Sequence, residues 1–375
     1  MNLAGIATPA ALIDTARMGR NIARMQGYVA GLGARLRPHV KTSKCIEVAR
    51  AQEAAGASGI TVSTLKEAEQ FFAAGFRDIL YAVSMSPDKI DRAIALAKRG
   101  CALTLLVDSV AAAQALVARG HRFPVMIEID SDGHRSGVQP EDAALIPIGR
   151  ALHDGGMELK GVLTHAGSSY DLNTPEALRA LAEQERALCV RAAQRLRAAG
   201  LPCPEVSVGS TPTALTALSL DGVTEVRAGV YVFFDLVMAN VGVCQPGDVA
   251  LSVLTTVIGH QPEKGWAICD AGWMAMSRDR GTQKQARDYG YGLVCDTDGR
   301  VRSGFTVSAA NQEHGIIAGG AETDIVARFP IGTKLRILPN HACATGAQFP
   351  EYHAVAATPG GEHVAGATWR RIYGW

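Results

Sequence analysis

Three stretches of this chain bring together side chains that can do chemistry. The first is Arg35–Lys44, RLRPHVKTSK, which starts as a short strand pattern, crosses Pro38 and delivers Lys41 at its end. At the C-terminal mouth of a β/α barrel, a lysine amine can form a Schiff base with an aldehyde cofactor. Most lysines are solvated surface charges, so it is the setting that singles out Lys41. The second stretch is Ser207–Thr213, SVGSTPT, where a strand runs into a turn of small residues. Its backbone N–H groups and hydroxyls can cradle a phosphate, although an ordinary Gly-Ser-Thr-Pro turn has the same composition. The third is His341-Ala342-Cys343. In a strand, residues i and i+2 share a face, so an imidazole and a thiolate can converge on one ion. Nitrogen plus sulfur suits zinc better than magnesium or calcium. A histidine and a buried cysteine packed in a β core is the competing reading.

Strand-like and helical runs alternate around the first two stretches. After TPAALID (Thr8–Asp14), Met18, Ile22, Met25, Val29 and Leu32 recur at helical spacing. Besides the lysine strand, apolar runs follow at Gly59–Val62, Ile79–Val83, Leu103–Val107, Val125–Ile129, Gly161–His165, Val206–Val208 and Thr224–Arg227. Amphipathic stretches such as Leu65–Ala74, Lys89–Lys98, Val110–Arg119 and Pro175–Ala199 separate them. Eight such repeats predict a parallel (β/α)8 TIM-type barrel over residues 15–250. A doubly wound open sheet is disfavoured, because no G-x-G-x-x-G follows the first strand. From Leu251 onward, β-rich segments alternate with Gly, Pro and Asp turns, which predicts a C-terminal β domain over 251–375.

With 375 residues, 47% of them hydrophobic and 19% charged, the chain can bury a large core. A formal net charge of +1 and the absence of a basic block argue against nucleic acid as a partner. No apolar run reaches the roughly 18 residues of a membrane span, and MNLAGIATPAALID makes a poor signal peptide. The expected location is the cytoplasm, with the eight cysteines reduced and no C-x-x-C among them.

RPHVKTSK, with the GITVSTLKEAEQFFAAGFRDILYAV that follows it, resembles the barrel start of pyridoxal-phosphate enzymes of the alanine-racemase-like fold. More narrowly it resembles the D-threonine aldolase and D-serine dehydratase group, and the likeness runs from TPAALID to the HAC segment. It implies that Lys41, not Lys44, carries the cofactor. It implies that residues 1–14 join the β domain. Two turns after strands seven and eight would bind the phosphate, through Gly209, Ser210 and Thr211 in one and Gly229, Val230 and Tyr231 in the other. Arg227, in R-A-G-V, matches the arginine that faces the pyridine nitrogen in alanine racemase; a structural salt bridge is the alternative. A guanidinium there disfavours protonation of that nitrogen and weakens the electron sink, so the leaving group would need help. The segment EIDSDGHRSG (Glu128–Gly137) resembles the family's E-I/V-D-x-G-x-x-R-x-G, which places Arg135 at the ring oxygen. Its acidic residues read as turn formers. His165 would lie beside the cofactor and Tyr170 toward the substrate. H-x-C at 341–343 is the dehydratase form, where the aldolases carry H-x-D.

The resemblance therefore implies a dehydratase of β-hydroxy D-amino acids that uses pyridoxal 5'-phosphate and zinc, or another divalent ion such as manganese or cobalt. Its favoured substrate is D-threo-3-hydroxyaspartate, giving oxaloacetate and ammonia, and D-serine follows. The alternatives are a D-threonine-type aldolase, a racemase and a non-catalytic pyridoxal-phosphate carrier. The family also implies a homodimer. The Asn311–Gly315 segment (NQEHG) resembles a family segment near the active site, without an assignable role. The loop Arg278–Arg287 reads as a solvated surface loop that could offer an arginine to a second carboxylate.

Overall fold

The computed structural model describes residues 3–319, 324–358 and 361–375. A first strand, β1 (Ala10–Asp14), leads into helix α1 (Thr15–Gly31), which buries Met18, Ile22, Met25 and Val29 as its spacing predicts. Eight parallel strands follow: β2 (Arg35–Pro38), β3 (Ile60–Val62), β4 (Asp78–Ser84), β5 (Ala102–Val107), β6 (Pro124–Ile129), β7 (Glu158–Thr164), β8 (Glu205–Val208) and β9 (Glu225–Ala228). Between them lie α2 (Ile46–Ala54), α3 (Leu65–Ala73), α4 (Ile90–Lys98), α5 (Val110–Ala118), α6 (Leu145–Asp154), α7 (Pro175–Ala198) and the short α8 (Thr211–Thr216). Side chains of Thr64, Ser109 and Thr174 cap α3, α5 and α7, which fixes where each strand-to-helix turn ends.

The strands pair in the order β2-β9-β8-β7-β6-β5-β4-β3, and a parallel bridge from His39 to Thr61 joins the two ends. The result is the nearly closed eight-stranded barrel that the alternation predicts. Leu80, Leu106, Met126 and Leu163 form an apolar cluster of its strands. The barrel also buries charge. Arg37 pairs with Glu225 at 2.6 Å and with Asp78 at 2.8 Å. Gly59, at φ +68°, leaves space for that guanidinium, since a Cβ there would lie 2.3 Å from Arg37 Nη1.

The remaining elements are α9 (Leu236–Val241), β10 (Leu251–Gln261), β11 (Trp266–Cys269), α10 (Trp273–Met276), β12 (Leu293–Cys295), β13 (Val301–Ala310), β14 (Gly315–Ala318), α11 (Ile325–Arg328), β15 (Lys334–Leu338), α12 (Ala342–Gly346), β16 (Glu351–Ala357) and β17 (His363–Arg370). Their strands form one sheet with β1, ordered β11-β14-β13-β12-β15-β10-β1-β16-β17, with a further β10–β11 pairing. Leu12, Leu254 and Val355 centre its core. β1 lies antiparallel to β10 and parallel to β16, with Leu12 opposite His353.

Two compact units result, Met1–Ile22 with Val230–Arg371 and Ala23–Gly229 with Ile372–Trp375. The divisions differ from residues 14/15 and 250/251 for a local reason. The Leu236 and Val237 N–H groups donate to Pro339 and Asn340 carbonyls, and Ala250 N–H donates to Phe233, which ties 230–250 to the β strands. The Ile372 N–H donates to the Lys44 carbonyl and keeps the last residues with the barrel.

Candidate active site

Lys41 stands in the turn after β2, two residues beyond the bridge that closes the barrel. Lys44 is positioned for another task. Its Nζ lies 3.1 Å from Oε1 of Glu67, a fully buried carboxylate that also accepts from Ser63 and Thr64. Two imidazoles share the surroundings of Lys41. Burial lowers the pKa of His39 well below the ordinary imidazole value, and the charges of Lys41 and Arg227 lower it further. His39 Nδ1 is buried without a hydrogen-bond partner. His165 lies one residue past β7, with Nδ1 2.9 Å from the Gly209 carbonyl, and its ring centroid is 6.4 Å from that of Tyr170. Burial and the Lys41 charge push the His165 pKa down to about 3. The unfolded chain, with a histidine near 6.5, takes up the proton first, so this residue's contribution to stability is full above about pH 6.5 and is lost as pH falls toward 3. In cofactor-free protein, the His165 ring resonances are expected to show no titration step between pH 5 and 8. A step in that range, followed by NMR, would mean that Lys41 and burial do not hold the ring neutral.

The small-residue turn after β8 is built around a close approach. Gly209 has φ +131°, and a Cβ there would sit 2.2 Å from the Arg227 carbonyl oxygen. Its N–H donates to Oε1 of Glu185 at 3.0 Å, so that amide faces the protein interior. Ser210 caps α8 in a reciprocal box with Thr213 and meets the Ser169 hydroxyl at 2.9 Å. Thr211 is buried. Gly229 follows β9 against the His39 carbonyl, at 2.9 Å from where a Cβ would lie. Val230 and Tyr231 are both buried and belong to the β unit.

Arg227, on β9, is buried with its guanidinium committed to the barrel. It donates to Ser207 Oγ at 2.6 Å and to the Thr164 carbonyl at 2.5 Å, while Ser207 donates to Glu225 at 2.7 Å. Arg135 is half-exposed and 3.4 Å from Glu128.

Glu185 escapes the sequence reading. It occupies the buried stripe of α7 between Leu181 and Cys189, and a carboxylate on an apolar stripe is the signal that could have found it. It accepts from both Gly209 N–H and Ala166 N–H, stapling the two turns that carry Gly209 and His165. Burial raises its pKa against the opposing pull of Thr213 and the two amides. Glu185→Ala is expected to leave both amides unsatisfied and to cost on the order of 2–5 kcal/mol in urea unfolding. Glu185→Gln, which keeps an acceptor oxygen, should cost less.

The β unit holds the imidazole and thiol differently from expectation. His341 and Cys343 do not share a strand. β15 ends at Leu338, and His341 is the extended N-cap residue of α12 (φ −134°, ψ 108°), with Cys343 inside that helix. The chain turns because α9 draws in its backbone. Pro339 and Asn340 carbonyls accept from α9, and Asp235 Oδ2 accepts from Ala342 N–H at 2.9 Å. The two side chains still meet, for the His341 ring and the Cys343 thiol are in hydrogen-bond contact. Burial works against a charged His341, but Cys343 and Asp279 outweigh it and raise its pKa well above the ordinary value. The Asp279 carboxylate is 2.6 Å from His341 Nδ1. Asp279 lies in the Arg278–Arg287 loop, which is largely exposed as expected, yet the loop is tied inward at two points. Thr282 of the same loop is fully buried, donates to Asn340 Oδ1 and accepts from Tyr289 N–H. A charge-rich loop shows no periodicity that could have revealed this. The NQEHG segment also finds a place. Asn311 and Gln312 carbonyls accept from Trp273 and Met274 N–H at the start of α10, the helix that precedes Asp279.

Among the described residues no group of three or more His, Cys, Asp or Glu side chains forms a complete metal set. A two-donor set whose histidine is backed by a carboxylate fits a divalent ion that keeps positions open for other ligands. The barrel residues fit a phosphorylated aldehyde cofactor. A lysine sits among imidazoles held neutral, one buried ring nitrogen has no protein partner, and glycines stand where the backbone comes closest.

The family model for the alanine racemase N-terminal domain matches residues 13–237, and that for a serine dehydratase domain matches 250–355. D-threo-3-hydroxyaspartate dehydratase of Delftia sp. (strain HT23) is 69% identical over 98% of both chains. The chain belongs to the D-serine dehydratase-like family of the alanine-racemase fold. Within this family, D-serine dehydratase of Dictyostelium discoideum is 31% identical over 93% of both chains. A solved cysteine-to-alanine variant of D-threo-3-hydroxyaspartate dehydratase, in the metal-free form, superposes with a TM-score of 0.97 at 68% identity over the full length of both chains. Family membership carries the fold expected from the sequence, a racemase-type barrel with a C-terminal β domain. No helix among the described residues is long and apolar enough to cross a membrane.

Proposed function

We propose that this protein is a pyridoxal-phosphate- and metal-dependent dehydratase of β-hydroxy D-amino acids, converting D-threo-3-hydroxyaspartate to oxaloacetate and ammonia and D-serine to pyruvate and ammonia. The observation that carries this reading is the His341–Cys343 pair backed by Asp279, in the unit that matches the serine dehydratase model. The similarity to D-threo-3-hydroxyaspartate dehydratase supports the substrate, and the metal-free variant among its structures supports the metal.

When bound, the cofactor supplies an electrophilic carbon and an electron sink, and a zinc, manganese or cobalt ion supplies a Lewis acid for the β-hydroxyl. Lys41 is the residue that would hold the cofactor, and its free amine would be the base for the α-proton. Neutral His39 and His165 add no second positive charge beside it. Arg135, Tyr170 and the turns at 209–211 and 229–231 serve binding and orientation. Arg227, buried and held by Ser207 and Thr164, would put a positive charge in the barrel that disfavours protonation of the cofactor's pyridine nitrogen. His341 and Cys343 are the metal donors. The family resemblance supports a homodimer in the cytoplasm.

Product analysis tests the reading. The enzyme with pyridoxal phosphate and zinc would receive D-threo-3-hydroxyaspartate, D-serine and D-threonine separately, before and after EDTA. Ammonia with oxaloacetate or pyruvate, lost on chelation and restored by zinc, is expected. Glycine with an aldehyde would make the enzyme an aldolase.

A further inference from the structure

We propose that Asp279 is the positioning residue of the metal half-site, selecting through its carboxylate the ring nitrogen of His341 that faces the ion. The inference rests on the metal reading above and extends it to a residue that touches neither ion nor substrate. Its geometry is specific. Oδ2 of Asp279 lies 2.6 Å from Nδ1 of His341. With Nδ1 occupied by the carboxylate, Nε2 is the ring nitrogen left for an ion. A carboxylate on the far nitrogen fixes the tautomer and orientation of a metal-bound imidazole and makes it a stronger donor.

Both side chains are 40% exposed, and an exposed ion pair alone contributes little to stability. The construction of the loop argues for a role beyond that. Ser277, two residues earlier, holds φ +76° and ψ 154°, a conformation strained for a residue with a side chain. Its hydroxyl accepts from Asp279 N–H at 3.0 Å. The Thr345 hydroxyl, on the helix that carries Cys343, donates to the Met276 carbonyl at 2.8 Å. Buried Thr282 binds Asn340, one residue before His341. Turn, carboxylate and ligand helix are thus joined on both sides of Asp279.

The test compares wild type, Asp279→Asn, Asp279→Ala and His341→Ala as cofactor-loaded proteins. Zinc retained against chelators of graded strength is measured by atomic absorption, and the zinc-stripped proteins are melted. Asp279→Ala is expected to bind zinc about 10–100-fold more weakly than wild type while its zinc-stripped form melts as wild type does. Asp279→Asn, which keeps an acceptor oxygen without the charge, should recover part of the affinity, and His341→Ala should lose most. Wild-type zinc affinity in both Asp279 variants overturns the assignment and leaves the metal reading standing. Failure of wild type to retain zinc overturns both. Lower melting of the zinc-stripped variants, with asparagine no better than alanine, makes Asp279 a structural anchor and also overturns it.

Discussion

Lys41→Ala is expected to lose the visible absorbance of bound pyridoxal phosphate together with turnover, the latter by about 10⁴-fold, the upper end of what a positioned acid–base group contributes. The expectation follows from location. Lys41 stands in the turn after the strand that closes the barrel, and its charge falls on two imidazoles held neutral beside it. Lys44→Met makes the contrast. It should keep the absorbance and instead destabilise the barrel, because Glu67 has no exposure and Lys44 is its cationic partner. Removing one member of a buried pair costs about 3–5 kcal/mol, with the upper part offset here by the hydroxyls of Ser63 and Thr64. The two variants, scored by absorbance and urea midpoint, assign the cofactor to one lysine. Retained absorbance in Lys41→Ala with loss in Lys44→Met would reverse the assignment.

Cys343→Ala is expected to release the metal and to slow dehydration by about 10³-fold, on the order of the several kcal/mol a Lewis acid gives a developing oxyanion. Metal content and ammonia release should fall together, and added zinc should restore little. His341→Ala should do the same. Cys343→Asp is the sharper experiment, since it keeps an anionic donor while replacing sulfur with oxygen. Retained metal with a shift from 2-oxo acid to glycine and aldehyde would show that the donor type governs which bond breaks. Full dehydratase activity in Cys343→Ala would remove the thiol from the reaction.

What could be read from the sequence divides along physical lines. The barrel was legible because eight apolar strands and their helices repeat a local signal, and α1 buries the residues its spacing marks. Lys41 stood out as a candidate from its place just past a strand. The meeting of His341 with Cys343 was expected for a reason that does not hold in the fold, since His341 caps a helix and Cys343 lies within it. Spacing of two fits a strand or a strand-to-helix turn equally, and the choice was made by α9, more than 90 residues earlier in the chain. Asp279 and Asp235 reach the pair through contacts distant in sequence, and nothing local marks them. Glu185 lay open to discovery, as a carboxylate out of place on an apolar stripe.

The pairing of β1 bears on how the chain is made. Leu12 sits opposite His353 on one side and Ser252 on the other, so this strand leaves the ribosome long before either partner. The barrel's pairings are between strands close in sequence, apart from the closing contacts of β2 with β9. Sequence-distant pairings form slowly, because the entropy of closing a long loop is lost before contacts repay it. During synthesis the Ala10–Asp14 segment, apolar in four of its five residues, therefore remains an unpaired edge while the barrel is being completed. An unpaired apolar strand of this kind is open to chaperones and to pairing with another nascent chain.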